Sequence, residues 1–256
     1  MSIKSKVFAA AATLTLIGGV GAVGALSATT ANAATPSCGA SCISIYPKEY
    51  AATTLGGAPQ FVTDVLRQSI KVGQPIIQFR GSNSDPAEDF TYANQGLVSD
   101  FYAAGLVSSA VALHYGCLGT VPVAGADIPC SPAAVDDTAY ELEYAPYGVD
   151  SGLCVGVPVT AAAGTKVALE PCGVSSKTVW IQDTNPGDFS PASGFYAAIN
   201  GSDTNFSQPF VLTYPGGGAY PTDKPRPQLE TENLTGFSAS TDNDAQLWDG
   251  FPGVLP

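Results

Sequence analysis

Residues Ser151–Asp183, SGLCVGVPVTAAAGTKVALEPCGVSSKTVWIQD, decide the fold. They read as three short strands joined by Gly-rich turns. Val167 and Leu169 share one face while Lys166 and Glu170 take the other, the period-2 pattern of a half-buried strand. Cys154 and Cys172 are placed to staple the first strand to the second, and closing a loop of that length contributes roughly 3 kcal/mol.

Working outward, two more stretches align with this one, giving repeats at about 59–96, 151–187 and 193–236. Superposing Gly73, Gly164 and Ser207 stacks Ile76 on Val167 and Phe210, and Gln78 on Leu169 and Leu212. The spacing is too uneven for a solenoid, which needs a steady period. It suits three pseudo-equivalent units with an insertion before the second. Upstream, Ile43–Tyr46 reads as the first strand, behind the tight Cys38–Cys42 loop.

The insertion covers about 97–149. Val111, Leu113 and Tyr115 alternate with Ala112 and His114, and Tyr140, Leu142 and Tyr144 alternate with Glu141 and Glu143. Both predict strands with one wet face. Helix signals are weak; the best, Phe101–Ala112, is opposed by Gly105 and the β-branched Val107 and Val111. The 28 glycines and 20 prolines punctuate the chain rather than marking a linker, so residues 34–256 are expected to form one domain.

Residues 1–33 read as a signal peptide: Lys4 and Lys6, an apolar run from Val7 to about Leu26, then Ala31-Asn-Ala33 as a cleavage site. The leader is of a Gram-positive type, and the product is expected to be secreted. The full chain has net charge −12, and losing Lys4 and Lys6 makes the remainder more acidic still. Such a chain repels nucleic acid and anionic membranes, whose binding needs clustered Lys and Arg.

Six cysteines allow 15 pairings. Proximity favours Cys154–Cys172 and Cys117–Cys130, leaving Cys38–Cys42. Zinc is the competing reading, and a single histidine with no C-x-x-C pair argues against it. Asp242-Asn-Asp244 starts like a calcium loop but has Leu247 where an EF-hand needs Gly. No metal and no cofactor are expected. Catalysis of the Ser-His-Asp kind has only His114 to draw on, with no G-x-S-x-G elbow. A carboxylate pair for glycoside hydrolysis remains a minor alternative, a secreted hydrolase, because its geometry is not written in sequence. No catalytic residue is assigned.

At Ser151–Asp183 the chain resembles a repeat of the ricin-type β-trefoil lectins. The matching residues are Cys154-Val-Gly-Val157, then Gly164 through Val167 and Leu169 to Cys172, then a strand carrying Trp180. Gln246-Leu-Trp248 matches the family's Gln-x-Trp signature, whose Trp is a core residue. The resemblance implies an all-β, β-trefoil fold with an insertion in the second repeat, and non-catalytic binding of carbohydrate. In that family an Asp takes two sugar hydroxyls, an aromatic stacks on the sugar, and an Asn completes the pocket.

Carried over to this chain, Asp64 stands at the Asp and Phe79 at the aromatic. Ala87 replaces the Asn, with Glu88 and Asp89 as substitutes. The second repeat has Gly156 and Glu170 at the first two places, and the third has Ala198 and Thr213, with Tyr214 one residue off. Asp64 and Phe79 equally suit a turn carboxylate and a core ring. A second reading is a protein-binding or protease-inhibitor trefoil using long loops, such as Pro215–Pro227 with Tyr220. The expected partner is thus a glycan or a secreted protein, bound by a monomer. Asn200, Asn205 and Asn233 begin N-x-S/T triplets, which matter only in a glycosylating host.

Overall fold

The computed structural model describes residues 38, 42–50, 54–55, 58–59, 61–82, 85–116, 120–123, 126–129, 137–184, 186, 194–216, 227–235 and 243–252. The leader expected at 1–33 and the cysteines Cys117 and Cys130 lie outside them. The first unit opens with β1 (Ile43–Pro47), passes a hairpin of β2 (Thr54–Leu55) and β3 (Ala58–Pro59), and continues through β4 (Phe61–Val65), β5 (Ile76–Arg80) and β6 (Phe90–Leu97). Two helices follow, α1 (Val98–Ala103) and α2 (Ser109–Tyr115), then a hairpin of β7 (Thr120–Val123) and β8 (Ala126–Pro129). The second unit holds β9 (Thr138–Tyr144), β10 (Leu153–Gly156), β11 (Thr165–Lys166), β12 (Ala168–Pro171) and β13 (Val179–Asp183). The third holds β14 (Tyr196–Asn200), β15 (Phe210–Thr213), β16 (Glu230–Asn233) and β17 (Leu247–Pro252).

Six of these strands close a ring. β1 pairs with β6, β6 with β9, β9 with β13, β13 with β14, β14 with β17, and β17 returns to β1, all antiparallel. Each unit supplies two ring strands and one hairpin: β4–β5, β10–β12 or β15–β16. A closed ring has no free edge.

The three hairpins meet on a triangle of backbone hydrogen bonds. The Ile76 N–H donates to the Val167 carbonyl at 3.1 Å, Val167 N–H to Leu229 at 2.8 Å, and Leu229 N–H to Ile76 at 2.9 Å. All three side chains are buried in one core with Leu169, Trp180, Leu212 and Trp248. The fold is therefore all-β and β-trefoil-like, with pseudo-threefold repetition about the triangle.

Two of the three residues expected on the axis are there. The third is Leu229, not Phe210, which starts β15 and is only half-buried. Aligning on Ser207 selected the turn between β14 and β15, whereas the equivalent hairpin turn lies between β15 and β16. The units also begin earlier than the repeats read from sequence. Tyr140–Tyr144, expected within the insertion, is ring strand β9.

The segment between β6 and β9 corrects a second expectation. Val111–Tyr115 is helical, not a strand. The Ser108 side chain accepts the Val111 N–H at 3.2 Å and caps α2, and the Asp100 carboxylate accepts the Leu97 N–H at 3.1 Å ahead of α1. Gly105, the residue that weighed against a helix, has φ +75° and lies just past the end of α1, where glycine favours termination. Val107, Val111 and Tyr115 recur every four residues and pack with Val98 and Phe101 on Ala139, Ile181 and Ile199 of the ring. This cover buries Ala139, and neighbouring turns bury the two glutamates on the same face of β9. Glu141 is fully buried and accepts from the Thr178 hydroxyl at 2.6 Å and the Gly173 N–H at 2.8 Å, while Glu143 accepts the Gly152 N–H.

Disulfides join Cys154 to Cys172, as expected from proximity, and Cys38 to Cys42, the pair expected from the cysteines left over.

Candidate functional site

Three short 3-10 turns, Pro86–Glu88, Ser176–Thr178 and Asp244–Gln246, precede β6, β13 and β17. They put Glu88, Thr178 and Gln246 in equivalent places, with Phe90, Trp180 and Trp248 two residues on. In the second and third units the indole N–H donates to a hairpin carbonyl: Trp180 to Val155 at 2.9 Å and Trp248 to Leu212 at 2.8 Å. The first unit fills the same place with Phe90, fully buried. Glu88-Asp-Phe90 is thus the first unit's counterpart of Gln246-Leu-Trp248, a match that no shared letter reveals.

Hairpin register makes the other half of each site. Asp64 faces Ile77, Gly156 faces Ala168 and Thr213 faces Glu230, each one residue from the triangle. Thr213, not Ala198, therefore stands where the first unit has Asp64. These positions meet the turn in all three units. Gln246 Nε2 donates to Thr213 Oγ1 at 3.2 Å. In the second unit a Cβ on Gly156 would lie 2.8 Å from Thr178 Cγ2. In the first unit the pair consists of two acids.

Asp64 and Phe79 lie on one face of the β4–β5 hairpin, Asp64 opposite Ile77 and Phe79 opposite Val62. Phe79 is half-buried. Asp64 is 2 % exposed, and so is Glu88; both acids sit beneath the surface rather than in an open sugar pocket. Glu88, Asp64 and Asp85 each bring a carboxylate oxygen within 4.8 Å of the others. Both Glu88 oxygens accept the Ser82 N–H, at 2.9 and 3.0 Å. Burial pushes Glu88 up to about 9; the Ser82 amide opposes the shift, and Asp85, Asp64 and Asp89 add to it.

Asp85 caps the turn by accepting the Ala87 N–H at 2.9 Å, and its Oδ1 also accepts from Gln68 Nε2 at 2.8 Å. Asp89, at the turn's other end, accepts the Tyr147 N–H at 2.9 Å. Burial also raises Asp89 above the usual carboxylate range, against the pull of that amide.

Over this turn lies a hollow of about 320 Å³, with Pro86 and Tyr144 among its lining residues. Ile70, Tyr147 and Val149 give it apolar, exposed walls, and Gln68 and Asp150 give it polar ones. Among the described residues, Arg67, Gln68 and Tyr147 are the non-glycines with positive φ, at 63°, 56° and 58°. Two of the three line the hollow, and each of those is tied to a carboxylate flanking the turn. Strain of this kind clusters at binding sites. Sequence reasoning reached Asp64, Glu88 and Asp89 but missed Gln68, Tyr147 and Asp85. Their signal is backbone conformation and contacts across 17 and 58 residues, which no local pattern carries.

His114 sits elsewhere, exposed on α2 and stacked on Phe206 with ring centroids 4.6 Å apart. Burial lowers its pKa, with nearby Asp203 opposing. Asp203 is engaged by the Asn205 and Phe210 amides. Among the described residues no hydrogen bond joins His114 to a serine or cysteine. Asn200, the first of the N-x-S/T positions, is fully buried, and Lys177 and Ser202 occupy its side chain. Tyr220 and most of the Pro215–Pro227 loop lie outside the described residues.

No family model and no curated protein matches the chain. Among solved structures it is similar to the designed three-fold symmetric protein ThreeFoil, at 11% identity and TM-score 0.47, over 82% of this chain and 97% of that one. It is also similar to part of a mosquitocidal holotoxin, at 13% identity and TM-score 0.42, over 82% of this chain and 17% of that one. The chain thus spans about a sixth of the toxin's length.

Proposed function

We propose that this protein is an exported, non-catalytic binding protein that takes a carbohydrate in the hollow over the Pro86–Glu88 turn. The supporting observation is the Tyr147 ring, 43% exposed and held at positive φ, beside the polar Gln68 and Asp150 side chains. A ring removes sugar C–H surface from water while amide and carboxylate groups orient hydroxyls. In this reading Asp64, Glu88 and Asp89 shape the turn beneath the sugar rather than touch it. A glycan array of the protein tests it: Tyr147→Ala and Asp150→Asn should each abolish the hits, while Lys177→Ala in the second unit should leave them. Hits that survive both hollow variants would place the site elsewhere.

The aliphatic walls favour one alternative. Ile70 and Val149 are 57% and 66% exposed, more apolar surface than a monosaccharide needs. A protein partner fits that surface, and capture of a medium protein that Val149→Asp abolishes, with no glycan hit, would decide for it.

A further inference from the structure

The polar groups around the hollow are matched one-sidedly. Gln68 donates from its amide Nε2 to Asp85 at 2.8 Å, which leaves its side-chain oxygen to face other partners. The Tyr147 N–H is taken by Asp89 at 2.9 Å. Asp150, exposed at the rim, accepts the Thr91 hydroxyl on Oδ1 at 3.4 Å and keeps Oδ2 for a ligand. The lining is therefore rich in acceptors and poor in donors.

Charge has the same bias. Among the described residues, those lining the hollow include Asp150 and no Lys, Arg or His. None of the described lysines and arginines pairs with Asp85, Asp89 or Asp150. Arg67 and Lys71, next in sequence to lining residues, are exposed and leave these acids alone. An anionic sugar would be repelled here, and an uncharged one would find acceptors but few donors.

The Tyr147 ring, 43% exposed, completes the wall next to Asp150. An aromatic ring beside a carboxylate attracts an ammonium group twice, through the ring's quadrupole and through the opposite charge. Ile70 and Val149 cover carbon skeleton at the same time.

We propose that the hollow selects sugars carrying a free amine, such as a glucosaminyl residue, with the ammonium held between the Tyr147 ring and the Asp150 carboxylate. The inference rests on the carbohydrate reading and adds the charge of the ligand to it. Asp85 and Asp89, each one hydrogen bond behind a lining residue, reinforce the attraction. N-acetylation removes the charge and with it the preference.

The test is calorimetric titration with three disaccharides: the glucosamine dimer, its di-N-acetyl form, and lactose, below the pKa of the amine. The glucosamine dimer should bind at least about tenfold more tightly than the other two. Raising the salt concentration should weaken its binding and leave that of lactose unchanged. Asp150→Asn, at an exposed position that bears the change without loss of fold, should abolish binding of the amine. Glu232→Gln removes the same charge from the third unit's hairpin and should leave it intact. An acetylated or neutral disaccharide that binds as tightly as the amine would overturn this inference while the carbohydrate reading stands. Failure of every sugar would remove both. Amine binding that Asp150→Asn retains, or that Glu232→Gln weakens equally, would be diffuse attraction to an acidic protein and would overturn the inference too.

Discussion

Asp64 and Glu88 face each other, each 2 % exposed, where the third trefoil unit places Thr213 and Gln246. One unit thus holds two acids in a position the fold elsewhere fills with a hydroxyl and an amide. The energetic consequence has a definite sign. Glu88 binds its proton more tightly folded than unfolded, at about 9 against an ordinary 4.5. Between those values the folded state carries the extra proton, so stability falls as pH rises.

With divalent cations chelated, the protein should therefore be most stable below pH about 4.5 and lose stability progressively toward pH 9. Asp89, Glu143 and Asp203, all raised by burial, act in the same direction. Glu88→Gln should flatten the slope and be more stable than the parent at pH 8. Urea unfolding at pH 5 and pH 8 measures both. A parent that gains stability from pH 5 to 8 would contradict the account.

Trp180→Phe isolates one hydrogen bond, because Phe90 shows that a phenyl ring can fill this place in the fold. The Val155 carbonyl would be left buried without its donor, at a cost of about 1–3 kcal/mol. Denaturation followed by the fluorescence of Trp248, the one other tryptophan, gives the value.

Gly156→Ala should cost about 1–3 kcal/mol, since its Cβ would sit 2.8 Å from Thr178 Cγ2 and 2.9 Å from the Lys177 carbonyl oxygen. Gly156→Asp, which copies the first unit's acid into the second, should be worse and should create no second binding site. Thermal melts of the two variants rank them.

Tyr147→Gly should be more stable than Tyr147→Ala by about 1 kcal/mol, the reverse of the usual order, because φ is 58° here. Both variants lose the ring and should lose glycan binding alike. Equal stabilities in chemical denaturation would mean that the left-handed backbone is not maintained in solution.

Legibility followed local density of signal. The second unit is compact, its strands joined by tight turns and its cysteines 18 residues apart, so Val167, Leu169 and Trp180 could be read directly. In the third unit the long segment between Tyr214 and Leu229 displaced the alignment onto the wrong turn. The helices were hidden because positions 111, 113 and 115 satisfy a strand's alternation while 107, 111 and 115 satisfy a helix's repeat. The cap at Ser108 and the terminating Gly105 settle which period applies.

The chain by itself determined the trefoil class, two of its disulfide pairs, two axis residues and the burial of Trp248, because each depends on residues near one another in sequence. Tertiary structure alone decided that Leu229 completes the axis, that Glu88-Asp-Phe90 replaces Gln-Leu-Trp, and that Asp64, Asp85 and Glu88 converge. Those relations are set by hairpin register and ring closure, which bring distant segments together by backbone geometry rather than by the identity of the side chains that meet.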